Sequence, residues 1–251
     1  MRTEKRWTGS IHIAADALAF SGQAGDTVPH AHLACQLVAV RHGTITIVSD
    51  TDVVSNSVIV VPARCRHQLL ASCQEVGIFY PGVGPGLDLA LNQKLGAERV
   101  QPAPPLICDI WYRIWEQHVP LSQWAQRFAE VVPADQIPQR LDPRVTRALH
   151  NALSEGGPGA IGRAASTVGL SPAGLRLLVR RQTGASLTQW VRWFRLERAA
   201  HAMRQGDGLA AAAVSAGFAD QSHYTRTMKA FFGITPGAVQ SVLSDGSLAA
   251  E

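Results

Sequence analysis

Residues 160–186 read AIGRAASTVGLSPAGLRLLVRRQTGAS, and residues 208–235 read GLAAAAVSAGFADQSHYTRTMKAFFGIT. They are two copies of one unit. Ala165 and Gly169-Leu170-Ser171 recur 48 residues later as Ala213 and Gly217-Phe218-Ala219. After a one-residue insertion, Arg180, Gly184 and Ser186 recur 49 residues later as Lys229, Gly233 and Thr235. In each copy a small-residue helix meets a glycine able to take φ > 0, then an apolar plug, then a polar N-cap and a second helix with basic side chains. The pattern predicts a helix-turn-helix written twice. Its alanines let two helices approach closely, and its glycine permits the turn that sets the second helix at a groove-entering angle.

Between the copies, residues 186–205 predict one helix, with Ser186 as N-cap, apolar Leu187, Trp190, Val191, Phe194, Leu196, Ala200 and Met203, and Gly206 as the stop. About 20 residues at 1.5 Å rise span ~30 Å, close to the ~34 Å of one DNA turn. A rod of that length suits two recognition helices entering successive major-groove segments on one face of a duplex. The charge agrees. Residues 1–141 carry 11 Lys+Arg against 12 Asp+Glu, whereas residues 142–251 carry 12 against 7, and the surplus is almost all arginine. Arginine is the side chain best suited to forked phosphate or guanine contacts. A basic, solvated helical bundle without nucleic acid is the alternative that charge alone leaves open.

The stretch from about 142 to 240 resembles the DNA-binding region of AraC/XylS-type transcriptional regulators, most specifically in AGFADQSHYTRTMKAFFGITPGAV (216–239) and LERAA (196–200). The resemblance implies two helix-turn-helix units joined by a long helix, binding double-stranded operator DNA to activate or repress transcription. Position by position, it places base-edge contacts of the second unit on Gln221, Ser222, Thr225 and Arg226, with Lys229 near phosphate. In the first unit they fall on Ala173, Arg176 and Leu177, with Arg180 near the backbone. Ala173 and Leu177 have no group to bond a base edge, so Arg176 on guanine and apolar contact with thymine methyls are expected to carry the first site.

Upstream, residues 28–80 hold β-branched runs (CQLVAV, TITIVSD, SVIVVPA) broken at Arg41-His42-Gly43 and Asp50-Thr51-Asp52, which predict strands of a meander or small barrel. PGVGPG (81–86) ends that region; 87–95 and 107–131 then read as helices, the second rich in tryptophan around Pro120. Such a helical pair belongs either to the core or to a dimer face. VVPADQIPQR (131–140) reads as a linker. His30, His32 and Gln36 share even parity, so on one continuous strand they would point to one face, and His67 arrives on a later strand. The pattern H-x-H-x3-Q followed by P-x4-H resembles the cupin signature motifs, with Gln36 in place of the usual Glu and Arg64 in place of a usual Gly. The AraC/XylS resemblance also implies a cupin-like sensor here. Three neutral imidazoles and an amide oxygen suit a divalent transition metal such as Zn, Ni, Mn or Fe; hydrogen-bonded core histidines are the plain alternative. An organic effector beside Val38, Val40, Ile45 and Ile47 is the other sensing mode. Cys35, of opposite parity, is expected to face outward, and Cys65 lies two residues before His67.

The expected architecture is α+β in two domains: a cupin-like β-barrel with a helical pair (1–130) for effector binding and dimerisation, a linker (131–141), an all-α tandem helix-turn-helix domain (142–240), and a tail (241–251). At 251 residues, with 46% hydrophobic and 17% charged residues, the composition excludes a disordered chain, and no apolar run approaches the ~18 residues of a membrane span. Mixed polar sequence directly after MRTEKRW predicts a cytoplasmic rather than secreted protein. Four cysteines without a CxxC pair indicate neither a disulfide framework nor a zinc ribbon. The expected function is a transcriptional regulator, not an enzyme, set by a small-molecule or metal effector. A homodimer, and RNA polymerase if it activates, are the further partners. The alternatives are a metal-dependent cupin enzyme on His30, His32, Gln36 and His67, for which Gln36 supplies no general base, and a constitutive DNA-binding protein whose barrel only dimerises.

Overall fold

The computed structural model describes residues 7–14, 17–71, 75–81, 91, 95, 98–130, 142–155, 159–240 and 242. The expected linker at 131–141, most of the segment from PGVGPG to Leu95, Cys73 and all of the tail but Val242 lie outside them. The chain forms two compact units, one from Met1–Pro138 with Met228–Glu251, the other from Gln139–Thr227.

The first unit is built on antiparallel strands: β1 (Thr8–Ala14), β2 (Ala17–Gln23), β3 (Gln36–Val40), β4 (Ile45–Ser49), β5 (Val53–Asn56), β6 (Val58–Val61), β7 (His67–Leu70), β8 (Glu75–Pro81) and β9 (Gln101–Pro102). They lie in a six-stranded sheet, β1-β2-β8-β3-β6-β9, and a three-stranded sheet, β5-β4-β7. The predicted runs at 35–40, 44–50 and 57–63 become β3, β4 and β6, and the turns at 41–43 and 50–52 separate strands as read. Two features differ. The β1–β2 hairpin was not predicted, because its glycines and alanines give little apolar alternation. The sheets also remain separate among the described residues and do not close into a barrel.

One face of the larger sheet is covered by α1 (Pro105–Glu116) and α2 (Trp124–Ala129). The single helix expected over 107–131 is two pieces, because Pro120 has no N–H to continue it and His118 takes a left-handed φ of 49°. Trp111 and Trp124 are fully buried, edge to face with ring centroids 4.9 Å apart, and Phe128 stacks on Phe79 at 4.5 Å. The tryptophans are core. Cys35 lies on this covered side in the same cluster, so the expected outward direction leads under the helices and not to solvent.

The second unit is helical: α3 (Pro143–Glu155), α4 (Ala160–Ser166), α5 (Pro172–Thr183), α6 (Leu187–Arg204) and α7 (Leu209–Ser215). Helix α8 (Gln221–Phe232) begins in this unit, and its residues from Met228 onward fold with the first. No described helix is long and apolar enough to cross a membrane.

Candidate nucleic-acid interface and imidazole cluster

Both predicted turns close with the same hydrogen bonds. Gly169 stands at φ 68° with Leu170 N–H donating to Ala165 O at 3.0 Å; Gly217 stands at φ 87° with Phe218 N–H donating to Ala213 O at 3.0 Å. The copies then part by one residue. Ser171 Oγ accepts from Gly174 N–H at 3.0 Å to cap α5, while Asp220 Oδ1 accepts from His223 N–H at 2.6 Å at the start of α8. The insertion therefore falls between plug and cap, and the partner of Ser171 is Asp220, not Ala219 as the sequence echo had it. From that register Ala173 pairs with Ser222, Arg176 with Thr225, Leu177 with Arg226 and Arg180 with Lys229. Arg176 and Arg226 therefore occupy neighbouring positions of the motif and not the same one.

Ala173, Arg176, Leu177 and Arg180 are exposed on α5, at the three-and-four spacing that makes one face, Leu177 with Arg180 included, and Arg180 lies one turn beyond Arg176. Leu177 is 51% exposed while Leu175 and Val179 turn inward. On α8, Gln221, Ser222, Arg226 and Lys229 are exposed and Thr225 is half-buried, with Tyr224, Thr227 and Met228 beneath. Between them α6 begins at a capping box, in which Ser186 Oγ accepts from Gln189 N–H and the Gln189 side chain accepts from Ser186 N–H. Its 18 residues match the predicted rod. Not all of the arginine surplus is available to a partner: Arg144 pairs with Asp142, and Arg198 donates to Ser215 O at 2.9 Å, tying α6 to the end of α7.

In the first unit His30, His32, Gln36 and His67 come together, all essentially without solvent exposure. His30, His32 and Gln36 do not share one strand as their parity suggests, since β3 begins only at Gln36. His30 instead forms an isolated bridge to His67, each N–H donating to the other's carbonyl at 2.9 Å. His32 O accepts from Arg64 N–H at 2.8 Å. Arg64 takes φ 63°, the conformation a glycine would supply at that place in the cupin motif. One ligand atom from each of His30, His32 and His67 lies within 4.8 Å of the others, a group that can hold a metal ion. Tyr80, which the sequence reading missed, accepts from Gln36 Nε2 at 2.8 Å. A tyrosine in the apolar run of β8 carries no sequence signal of that role.

Burial shapes the cluster's charge. It pushes the His30 imidazole down to about 3 and His32 well below the usual range, with neighbouring imidazoles adding to the effect; burial alone lowers His67. All three are neutral at pH 7. The Cys65 and Cys108 thiols are pushed up by burial and by nearby aspartates, so neither is an activated thiolate.

A family model described as a helix-turn-helix domain matches residues 164–241. Residues 164–241 are thus a helix-turn-helix domain. No curated protein matches the sequence. Among solved structures, a point variant of ToxT from Vibrio cholerae in its apo form is 11% identical with a TM-score of 0.59, covering 92% of this chain and 98% of its own. Wild-type ToxT bound to an unsaturated fatty acid, from the same organism, is 10% identical with a TM-score of 0.54, covering 98% of this chain and 99% of its own. At such identities the likeness is one of fold, and it extends over both parts of the chain.

Proposed function

We propose that this protein is an effector-responsive regulator, in which a ligand held by the N-terminal β-sheet domain alters how the tandem helix-turn-helix domain, residues 142–240, binds its operator. The observation that carries it is the doubled reading face. Two helices of equal build, each behind the same glycine turn, present Ala173, Arg176, Leu177 and Arg180 on one and Gln221, Ser222, Thr225, Arg226 and Lys229 on the other. Arg176 and Arg226 read base edges, Ala173 and Leu177 touch thymine methyls, and Arg180 and Lys229 neutralise phosphate. The ToxT likeness, including a structure with an unsaturated fatty acid bound, supports a ligand-binding role for the N-terminal domain. Val38, Ile45 and Ile47, with no exposed surface to speak of, and Val40 line its apolar interior.

The working form is a cytoplasmic homodimer that meets RNA polymerase where it activates. The enzyme alternative has less support, because Gln36 brings an amide where a base would need a carboxylate. Selection of duplexes from a random library by the purified full chain tests the reading. Enrichment of a motif with two half-sites about 10 base pairs apart supports it; recovery of random sequence at every round overturns it.

A further inference from the structure

The second helices of the two copies agree at every point that fixes a helix in place. Each has 12 residues, α5 from Pro172 to Thr183 and α8 from Gln221 to Phe232. Each follows a glycine turn closed by a 3.0 Å hydrogen bond and starts behind a capping side chain, Ser171 or Asp220. Each ends at a left-handed glycine whose N–H returns to the helix: Gly184, at φ 69°, donates to Arg180 O at 2.8 Å, and Gly233, at φ 70°, donates to Lys229 O at 3.0 Å. The inward side chains match as well. Counted from the cap, the fourth residue is buried in both, Leu175 and Tyr224, and so is the eighth, Val179 and Met228. Start, end and rotation about the axis are therefore common to the two copies, and equal counts from the cap point in equal directions.

Within that frame the outward residues agree at the ninth position, an exposed cation in both, Arg180 and Lys229. They differ before it. The fifth residue is exposed Arg176 in α5 and half-buried Thr225 in α8; the sixth is exposed Leu177 in α5 and exposed Arg226 in α8. The arginine has moved by one residue while everything that places the helix has stayed. The size of that step matters. Consecutive Cα atoms lie about 3.8 Å apart, and base pairs follow one another about every 3.4 Å along a strand of duplex DNA. A one-residue move of a guanidinium on a helix of fixed placement is thus a move of about one base pair, and the two side chains diverge by about 100°, which widens the gap. The first two positions are unequal too. Pro172 and Ala173 have no side-chain hydrogen bond to offer, whereas exposed Gln221 and Ser222 have.

We propose that the operator consists of two unlike half-sites, in which the guanines taken by Arg176 and Arg226 are displaced from each other by about one base pair when each half-site is aligned on its phosphate contact, Arg180 or Lys229. This rests on the regulator reading and gives its DNA target a definite form. The half-site under α8 holds more of the sequence information, because Gln221 and Ser222 add polar contacts that Pro172 and Ala173 lack. The chain binds the site in one orientation, since exchanging the half-sites misplaces both guanidiniums.

The test selects duplexes from a random library with the purified full chain and with three variants: Arg176→Ala, Arg226→Ala, and the double variant Arg176→Thr/Leu177→Arg, which gives α5 the fifth and sixth residues of α8. All three altered positions are exposed, and melting temperature controls for folding. The expected wild-type motif contains two guanine positions, of which Arg176→Ala flattens one and Arg226→Ala the other. Replacing either guanine lowers wild-type affinity about 5- to 150-fold, read by anisotropy with labelled duplex, and has little effect in the variant that lacks the matching arginine. The double variant prefers guanine about one base pair from the position that Arg176→Ala flattens, so the spacing between the two guanines changes while the other half-site stays as it was. A guanine that keeps its place in the double variant, or that is missing from its motif, overturns the offset. So does an Arg→Ala change that flattens neither position or both. In each of those cases the enriched wild-type motif leaves the regulator reading standing. If the wild type enriches no motif, the regulator reading falls and the offset with it.

Discussion

Arg226 is exposed near the start of α8 with buried Tyr224 and Thr227 beside it, so its guanidinium is held outward on a fixed helix. Arg226→Ala is expected to cost about 1–3 kcal/mol of specific binding and relax preference at one base pair, whereas Lys229→Ala weakens binding on all sequences and flattens the salt slope by about one unit. Titrations of specific and random duplexes over a salt series check both; equal losses on the two duplexes for Arg226→Ala would remove its base-reading role. At the histidines the effect is on stability. Their pKa values are lowered in the folded chain, so the native state binds fewer protons than the unfolded one, where imidazoles titrate near about 6.5. The contribution is present above that value and is lost as pH falls through it toward the folded values, at up to about 1.4 kcal/mol per group per pH unit. In chelator, unfolding midpoints are expected to fall steeply between about pH 6.5 and 5. A flat profile would mean the imidazoles are not buried neutral.

At the scale of elements, the capping box of α6 and the glycine turns set the helical geometry. Ser186→Ala removes the acceptor for Gln189 N–H and is expected to cost about 0.5–2 kcal/mol, read as a lower unfolding midpoint in urea. On the larger sheet, β8 lies so close under α1 that a Cβ at Gly77 would sit 2.4 Å from the Trp111 ring. Gly77→Ala is expected to destabilise by about 1–3 kcal/mol through overpacking, measured the same way; an unchanged midpoint would show that Trp111 moves freely. The helix-turn-helix elements were legible because each is specified within about 25 residues by small residues, a glycine and a cap. The β1–β2 hairpin and the break at Gln117–Pro120 were less so. Gly9 and Gly22 cross face to face, leaving each other's Cβ no room, and that pairing depends on a partner strand that the local pattern does not name.

For the whole molecule, a fragment of residues 142–251 is expected to bind the selected duplex without responding to any effector of the N-terminal domain. Anisotropy with labelled duplex measures it, and an unfolded fragment would place the domain boundary elsewhere. The fold of residues from Met228 onward with the first unit gives that experiment its point, because the fragment keeps α8 but loses the 27–31 loop against which its last turn rests.

By itself the sequence determined the tandem helix-turn-helix, the rod between its halves, the strands β3, β4 and β6 and the four side chains of the cluster. All of these follow from local periodicity, turn chemistry or motif spacing. Only the tertiary structure decided that His30 reaches His67 through a bridge and not along a strand, and that Asp220 caps where Ser171 caps. It alone added Tyr80 to Gln36 and set Gly233 against Val28. These two contacts depend on which segments meet across more than 40 residues of chain, and a local pattern of residues carries no record of a distant partner.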